Sequence, residues 1–176
     1  IQEVLKDHNL ILTDKEEMDV TKYNQVILYA DHKIDLIIHL AAETDLEFCE
    51  SNSGIAYATN TIGCQNMVEL VHKLDIPIIY ISTAGVLDGK KRGAYTIKDI
   101  PNPINVYGRS KYYGERFIKQ YPKHFIIRAG WMMGGGAQVD KKFVNKIIQK
   151  IHRGDKTINV CDDSIGSPTY TKDLVQ

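Results

Sequence analysis

The sequence has little that would tie it to a disulfide framework, a metal, a membrane or a nucleic acid. Its three cysteines, Cys49, Cys64 and Cys161, are odd in number and lack C-x-x-C spacing, so neither disulfides nor a zinc site is expected. That usage fits a reducing compartment, and a cytoplasmic protein is expected. Six histidines are scattered with no pair at metal-ligand spacing, so no metal is expected either. Lys plus Arg and Asp plus Glu stand at 22 each, which leaves no net field to attract nucleic acid or an anionic membrane. No apolar run approaches the ~20 residues of a membrane span, and no signal peptide is visible. What is present, 43% hydrophobic residues in 176, suits one domain with a real core.

Short apolar runs alternate with helix-periodic segments. Strands are expected at Asn9–Thr13, Leu36–Ala41, Ile78–Ser82, Phe125–Arg128 and Thr157–Val160. Helices are expected at Lys22–His32, Ala56–Leu74, Asn105–Gln120 and Phe143–His152. This alternation predicts an α/β fold with a parallel, doubly wound sheet, whose ligands bind past the C-terminal ends of the strands. Both ends read as cut. Ile1–Lys6 starts inside an amphipathic helix pattern without an N-cap, and Thr171 reads as the N-cap of a helix that stops before its spacing repeats.

The sharpest motif is Asn105-Val106-Tyr107-Gly108-Arg109-Ser110-Lys111. Tyr and Lys four apart share one helix face, so both side chains reach the same small volume. A nearby ammonium lowers a phenol's pKa from about 10, and such a Tyr can give a proton to a carbonyl oxygen as hydride reaches its carbon. The pair alone also arises by chance in any helix rich in Tyr and Lys. Ser82-Thr83 stands at the tip of an expected strand upstream, where a hydroxyl can serve chemistry or simply cap the strand end. Gly108 and Gly114 lie inside the helix at a cost of roughly 1 kcal/mol each against Ala, which suits close approach to backbone or ligand.

Together these stretches resemble the dTDP-4-dehydrorhamnose reductase branch of the extended short-chain dehydrogenases. The resemblance runs through His39-Leu40-Ala41-Ala42, Tyr57-Ala58-Thr59-Asn60, Ile81-Ser82-Thr83-Ala84-Gly85-Val86-Leu87-Asp88-Gly89, Gly114-Glu115, Arg128-Ala129-Gly130-Trp131 and Gly166-Ser167-Pro168-Thr169-Tyr170. It implies a Rossmann-like cofactor-binding core over residues 1–131 and the start of a smaller substrate-binding part over 132–176. It also implies that Thr83 bonds the substrate carbonyl, Tyr107 donates the proton, and Lys111 tunes the Tyr and holds the nicotinamide ribose. Leu40, Ala41 and Ala42 would line the cofactor, Asp19 and Val20 would meet the adenine, Asn60 would sit beneath the site, and Trp131 would face the substrate. Read alone, Asp19 is equally an N-cap near Thr21, Asn60 a helix-surface amide, and Trp131 a core residue.

The expected reaction is reduction of a 4-keto group on a nucleotide-activated deoxysugar by NADH or NADPH. Asp14, just after the first strand, leans slightly to NAD because an acid there accepts a ribose 2′-hydroxyl; the adjacent Lys15 argues the other way. A homodimer is a family habit. The family's glycine-rich phosphate loop is not in the sequence and would precede Ile1, so these 176 residues alone are expected to bind dinucleotide poorly. Ala84-Gly85 replaces the family's Asp-Tyr, so a different sugar is expected, and Gly134-Gly135-Gly136 replaces a stiffer loop. Two rivals stand beside this reading: a nucleotide-sugar epimerase of the same superfamily, and a catalytically idle nucleotide-binding regulatory subunit.

Overall fold

A computed structural model describes residues 2–136, 143–163 and 165–176. It divides into two compact units, Leu12–Arg128 and Ile1–Ile11 with Ala129–Gln176.

In the first unit, α1 (Tyr23–Ile27) continues into a 3-10 turn, Leu28–Asp31, and leads to strand β1 (Ile37–His39). Helices α2 (Leu46–Ser51) and α3 (Ser53–Tyr57) follow, then a π-helical segment, Ala58–Ile62, that runs directly into α4 (Gly63–Leu74). Strand β2 (Ile78–Thr83), helix α5 (Val106–Ile118) and strand β3 (His124–Ala129) complete the order. The sheet order is β1-β2-β3, and β1 runs parallel to β2 with Ile37 opposite Ile78 and His39 opposite Tyr80. Along β2, burial alternates strictly, so Ile78, Tyr80 and Ser82 point into the core. Ile78 and Tyr80 meet Cys64, Met67, Leu70 and Val71 of α4 and Ile118 of α5 in the main hydrophobic cluster.

Helix α5 begins where Asn105 accepts a hydrogen bond from the Gly108 N–H at 2.7 Å, which satisfies one of the free donors of the first turn. Its two internal glycines are explained by close packing. A Cβ on Gly114 would lie 2.4 Å from the Asn60 carbonyl oxygen and 2.8 Å from the Tyr80 hydroxyl. Gly114→Ala in the whole protein is therefore expected to lower stability by about 1–3 kcal/mol, read as a lower urea midpoint. An unchanged midpoint would show that α5 can move away freely.

In the second unit, β4 (Trp131–Met133) pairs in parallel with β5 (Pro168–Tyr170); helix α6 (Phe143–His152) lies between them in sequence and α7 (Thr171–Val175) follows β5. Gly134, Gly135 and Gly136 have φ of +133°, +81° and +76°, a backbone path that side chains rarely follow, so this triplet is explained by conformation.

Four expectations fail. Among the described residues neither Asn9–Thr13 nor Thr157–Val160 pairs as a strand, and Ile11, Leu12 and Val160 stay about half exposed. Residues 2–8 form turns rather than a helix end. Thr171 is the first residue of α7 and not its cap; Tyr170 holds the cap position without a side-chain bond.

Candidate active site

The alternation of β2 sends the adjacent hydroxyls Ser82 and Thr83 in opposite directions. Ser82 turns inward and donates to the Glu115 carboxylate at 2.7 Å. Thr83 ends the strand, and its Oγ1 accepts from the Gly85 N–H at 3.0 Å, opening a 3-10 turn over Ala84–Val86. That turn lies against the first turn of α5: a Cβ on Gly108 would come within 2.2 Å of the Gly85 carbonyl oxygen. Gly108 thus lets the Thr83 turn and the Tyr107 turn touch, and the Thr83 side chain lies near enough to the Tyr107 phenol to favour its ionised form.

Tyr107 is half-buried. Burial raises its phenol above the ordinary value, more than the Thr83 hydrogen bond lowers it. The expectation that Lys111 depresses Tyr107 is corrected here. Lys111 is 2% exposed, and its ammonium turns inward to donate to the Ile81 carbonyl at 2.8 Å, over the Tyr80 ring. Burial pushes Lys111 down to about 8, so it is still mainly protonated at neutral pH. A phenol that keeps its proton is suited to donate one.

A second layer holds these groups. Asn60, fully buried in the π-helical segment, accepts from the Glu43 N–H at 2.8 Å. It donates to the Glu43 carbonyl and to the Ser110 hydroxyl, both at 2.9 Å. Ser110 in turn donates to the Tyr107 carbonyl at 2.8 Å. The Asn60 amide is thus committed to protein partners and reaches the Tyr107 backbone only through Ser110. The insertion of one extra residue per turn at a π segment is a frequent mark of functional sites, and here it presents Asn60 to α5. Below Lys111, Glu115 receives Ser82 and a two-pronged Arg128 contact, at 2.8 and 2.7 Å. Burial would raise Glu115, yet these hydrogen bonds with the charges of Arg128 and Lys119 hold it below the usual range. The Ser82–Glu115–Arg128 network escaped sequence reasoning. Its signals were Glu115 four residues after Lys111 and an Arg at the end of an apolar strand.

The other candidates are spread more widely. Leu40, Ala41 and Ala42 follow β1; Leu40 is 53% exposed and the two alanines leave little bulk over the strand end. Asp19 accepts from both the Thr21 N–H and hydroxyl, at 2.9 and 2.7 Å, and that hydroxyl contact first of all lowers its pKa. Val20 puts its side chain in the core, and its carbonyl accepts from the Asn66 amide at 2.8 Å. Asp14 caps its own turn, accepting from the Glu16 and Glu17 N–H groups. Trp131 belongs to the second unit, where its indole lies over Gly166; a Cβ there would come within 2.6 Å of the ring.

The family model described as the RmlD substrate binding domain matches residues 1–176. The chain belongs to this family. Among RmlD-type relatives, the dTDP-4-dehydrorhamnose reductase of Mycolicibacterium smegmatis is 32% identical over 176 residues, covering 99% of this chain and 53% of its own length. The crystal structure of dTDP-4-dehydrorhamnose reductase from Yersinia enterocolitica superposes with a TM-score of 0.91 at 36% identity, covering 98% of this chain and 62% of that one. The Bacillus anthracis dTDP-4-dehydrorhamnose reductase in complex with NADP superposes at 0.89 with 34% identity, covering 96% and 60%. The fold is accordingly a Rossmann-like, parallel-sheet α/β fold. The RmlD-type chain spans about half the length of the curated relatives it matches.

Proposed function

We propose that the protein carrying this chain reduces a 4-keto group on a nucleotide-activated deoxysugar, with NAD(P)H as the reductant. The observation that carries this reading is the close approach of the Thr83 turn and the Tyr107 turn at the end of a parallel strand, with Lys111 one helical turn further along. The names of the RmlD-type relatives support it.

The residues present fit a nicotinamide dinucleotide. The strand end at Leu40, Ala41 and Ala42 is open and short of side-chain bulk, and ligands of parallel sheets lie at such ends. One of the three Lys111 N–H donors is taken by Ile81 among the described residues, leaving the ammonium able to bond a ribose hydroxyl. Bound there, NAD(P)H supplies the hydride. Thr83 orients the keto oxygen beside Tyr107, and Tyr107 hands its proton to that oxygen as negative charge develops. Solvent then reprotonates the phenolate. Leu12–Arg128 serves as the cofactor core in this reading.

The finer choices belong to the same proposal. Asp14 favours NADH, but one of its oxygens is occupied by its own turn, so use of both cofactors is expected. A cytoplasmic enzyme fits the free thiols of Cys49, Cys64 and Cys161. A homodimer would leave twice the monomer mass in light scattering. The test is oxidation of NADH and of NADPH by the whole protein with a dTDP-4-keto-6-deoxy sugar, followed at 340 nm. Turnover is expected, and Thr83→Val is expected to lower kcat/KM roughly 10²-fold by removing an orienting donor. Absence of turnover with both cofactors, despite cofactor binding, would contradict the reading.

A further inference from the structure

Lys111 is a buried cation with an unusual set of partners. Its Nζ donates to the Ile81 carbonyl at 2.8 Å and lies 4.3 Å from the centre of the Tyr80 ring. Among the described residues no carboxylate forms an ion pair with it. Glu115, one turn further along α5, is committed to Ser82, Arg128 and Lys119. A buried ammonium needs compensation, and an aromatic face gives most when both partners are desolvated.

The ring is itself held firmly. Tyr80 is fully buried, opposite His39 across the β1–β2 pair, with the two rings stacked at 5.5 Å. Gly114, three residues after Lys111, clears room for it, since any Cβ there would press on the Tyr80 hydroxyl. A lysine on one helix face and a glycine one turn on thus admit a ring beneath the ammonium.

We propose that Tyr80 is a positioning residue for Lys111: its ring face, with the Ile81 carbonyl, replaces a counter-ion and keeps the ammonium charged and aimed. This rests on the reading of Lys111 as the lysine of the reductase site. The groups facing Lys111 are His39 from β1, Tyr80 from β2, Cys64 from α4, and Glu115 from α5, with Tyr107 acting on Tyr80. Burial and the Lys111 charge hold His39 down to about 3, and burial pushes Cys64 up to about 11 and Tyr80 far up. Between pH 6 and about 10, Lys111 is thus the member of this group that changes charge, and its titration can be read cleanly.

The test uses the whole protein labelled with ¹³Cε-lysine, with the Lys111 resonance identified by Lys111→Arg and followed by NMR from pH 6 to 10. Tyr80→Phe keeps the ring face and is expected to leave the midpoint within a few tenths of a unit. Tyr80→Leu removes the ring and is expected to lower the midpoint by about one unit, a tenfold shift toward the neutral amine. Replacement of Tyr80 by pentafluorophenylalanine keeps the shape but reverses the ring's charge distribution, and should lower the midpoint even if Tyr80→Leu does not fold. A midpoint unchanged or raised in the ring-altering variants, or lowered as much by Tyr80→Phe, would overturn the proposal. The readout needs no turnover, so an inactive wild type would overturn the reductase reading separately.

Discussion

Tyr107→Phe in the whole protein is expected to abolish most turnover, by roughly 10²–10⁴-fold in kcat, the range in which a positioned acid contributes. The ring of Tyr107 packs beside Cys49, Ala56 and Val106, and Phe preserves that packing. Cofactor affinity should therefore change little, and the urea midpoint should stay close to wild type. What is lost is the proton that burial keeps on the phenol and that Thr83 directs. Stopped-flow measurement of NADPH oxidation under saturating substrate separates this loss from weakened binding. A variant with a raised KM and unchanged kcat would mean that Tyr107 binds and does not donate.

The second large effect is structural. Glu115→Ala is expected to cost about 3–5 kcal/mol, since it strips the partner from Arg128 inside the fold and leaves Ser82 unpaired. That is a large part of the 5–15 kcal/mol typical of a whole protein, so the variant should be poorly folded at 37 °C. Glu115→Gln keeps some of the hydrogen bonds without the charge and should lie between the two. The pH dependence follows from the direction of the shift. Folding holds the Glu115 pKa below its unfolded value, so the stability it contributes is fully present above about pH 4.3 and is lost as pH falls through the folded value. Urea midpoints measured between pH 3 and 7 should fall steeply on the acid side in wild type, and less so in Glu115→Gln. Equal slopes would place the acid sensitivity elsewhere.

The legible parts of the fold are those where the apolar pattern and the neighbours agree. β1, β2 and β3 each lie inside or around a run read from sequence, and α5 starts at Asn105 because that side chain has an N–H to cap. Asn9–Thr13 and Thr157–Val160 have the same composition but no paired strand, and composition alone does not supply one. The π-helical turn was invisible because Ala58–Ile62 reads as ordinary helix; only the need to bring Asn60 onto Ser110 distinguishes it. At the site, spacing placed Tyr107 and Lys111 on one helix face but could not say that the ammonium would turn inward. That direction is decided by Tyr80 and Ile81 on the neighbouring strand, thirty residues away in the chain. Gly85 is a departure from the family pattern that packing does not explain, since its backbone carbonyl is what requires a glycine at 108.

The central claim is that hydride reaches a sugar carbonyl while Tyr107 supplies the proton. Its most direct test is to incubate the whole protein with 4-deuterated NADPH, both epimers in turn, and a dTDP-4-keto-6-deoxy sugar, and to locate the label by NMR. Deuterium at carbon 4 of the reduced sugar, from one epimer only and absent with Tyr107→Phe, is the predicted result. Deuterium that stays on the cofactor, or an unreduced sugar with altered stereochemistry, would contradict the account.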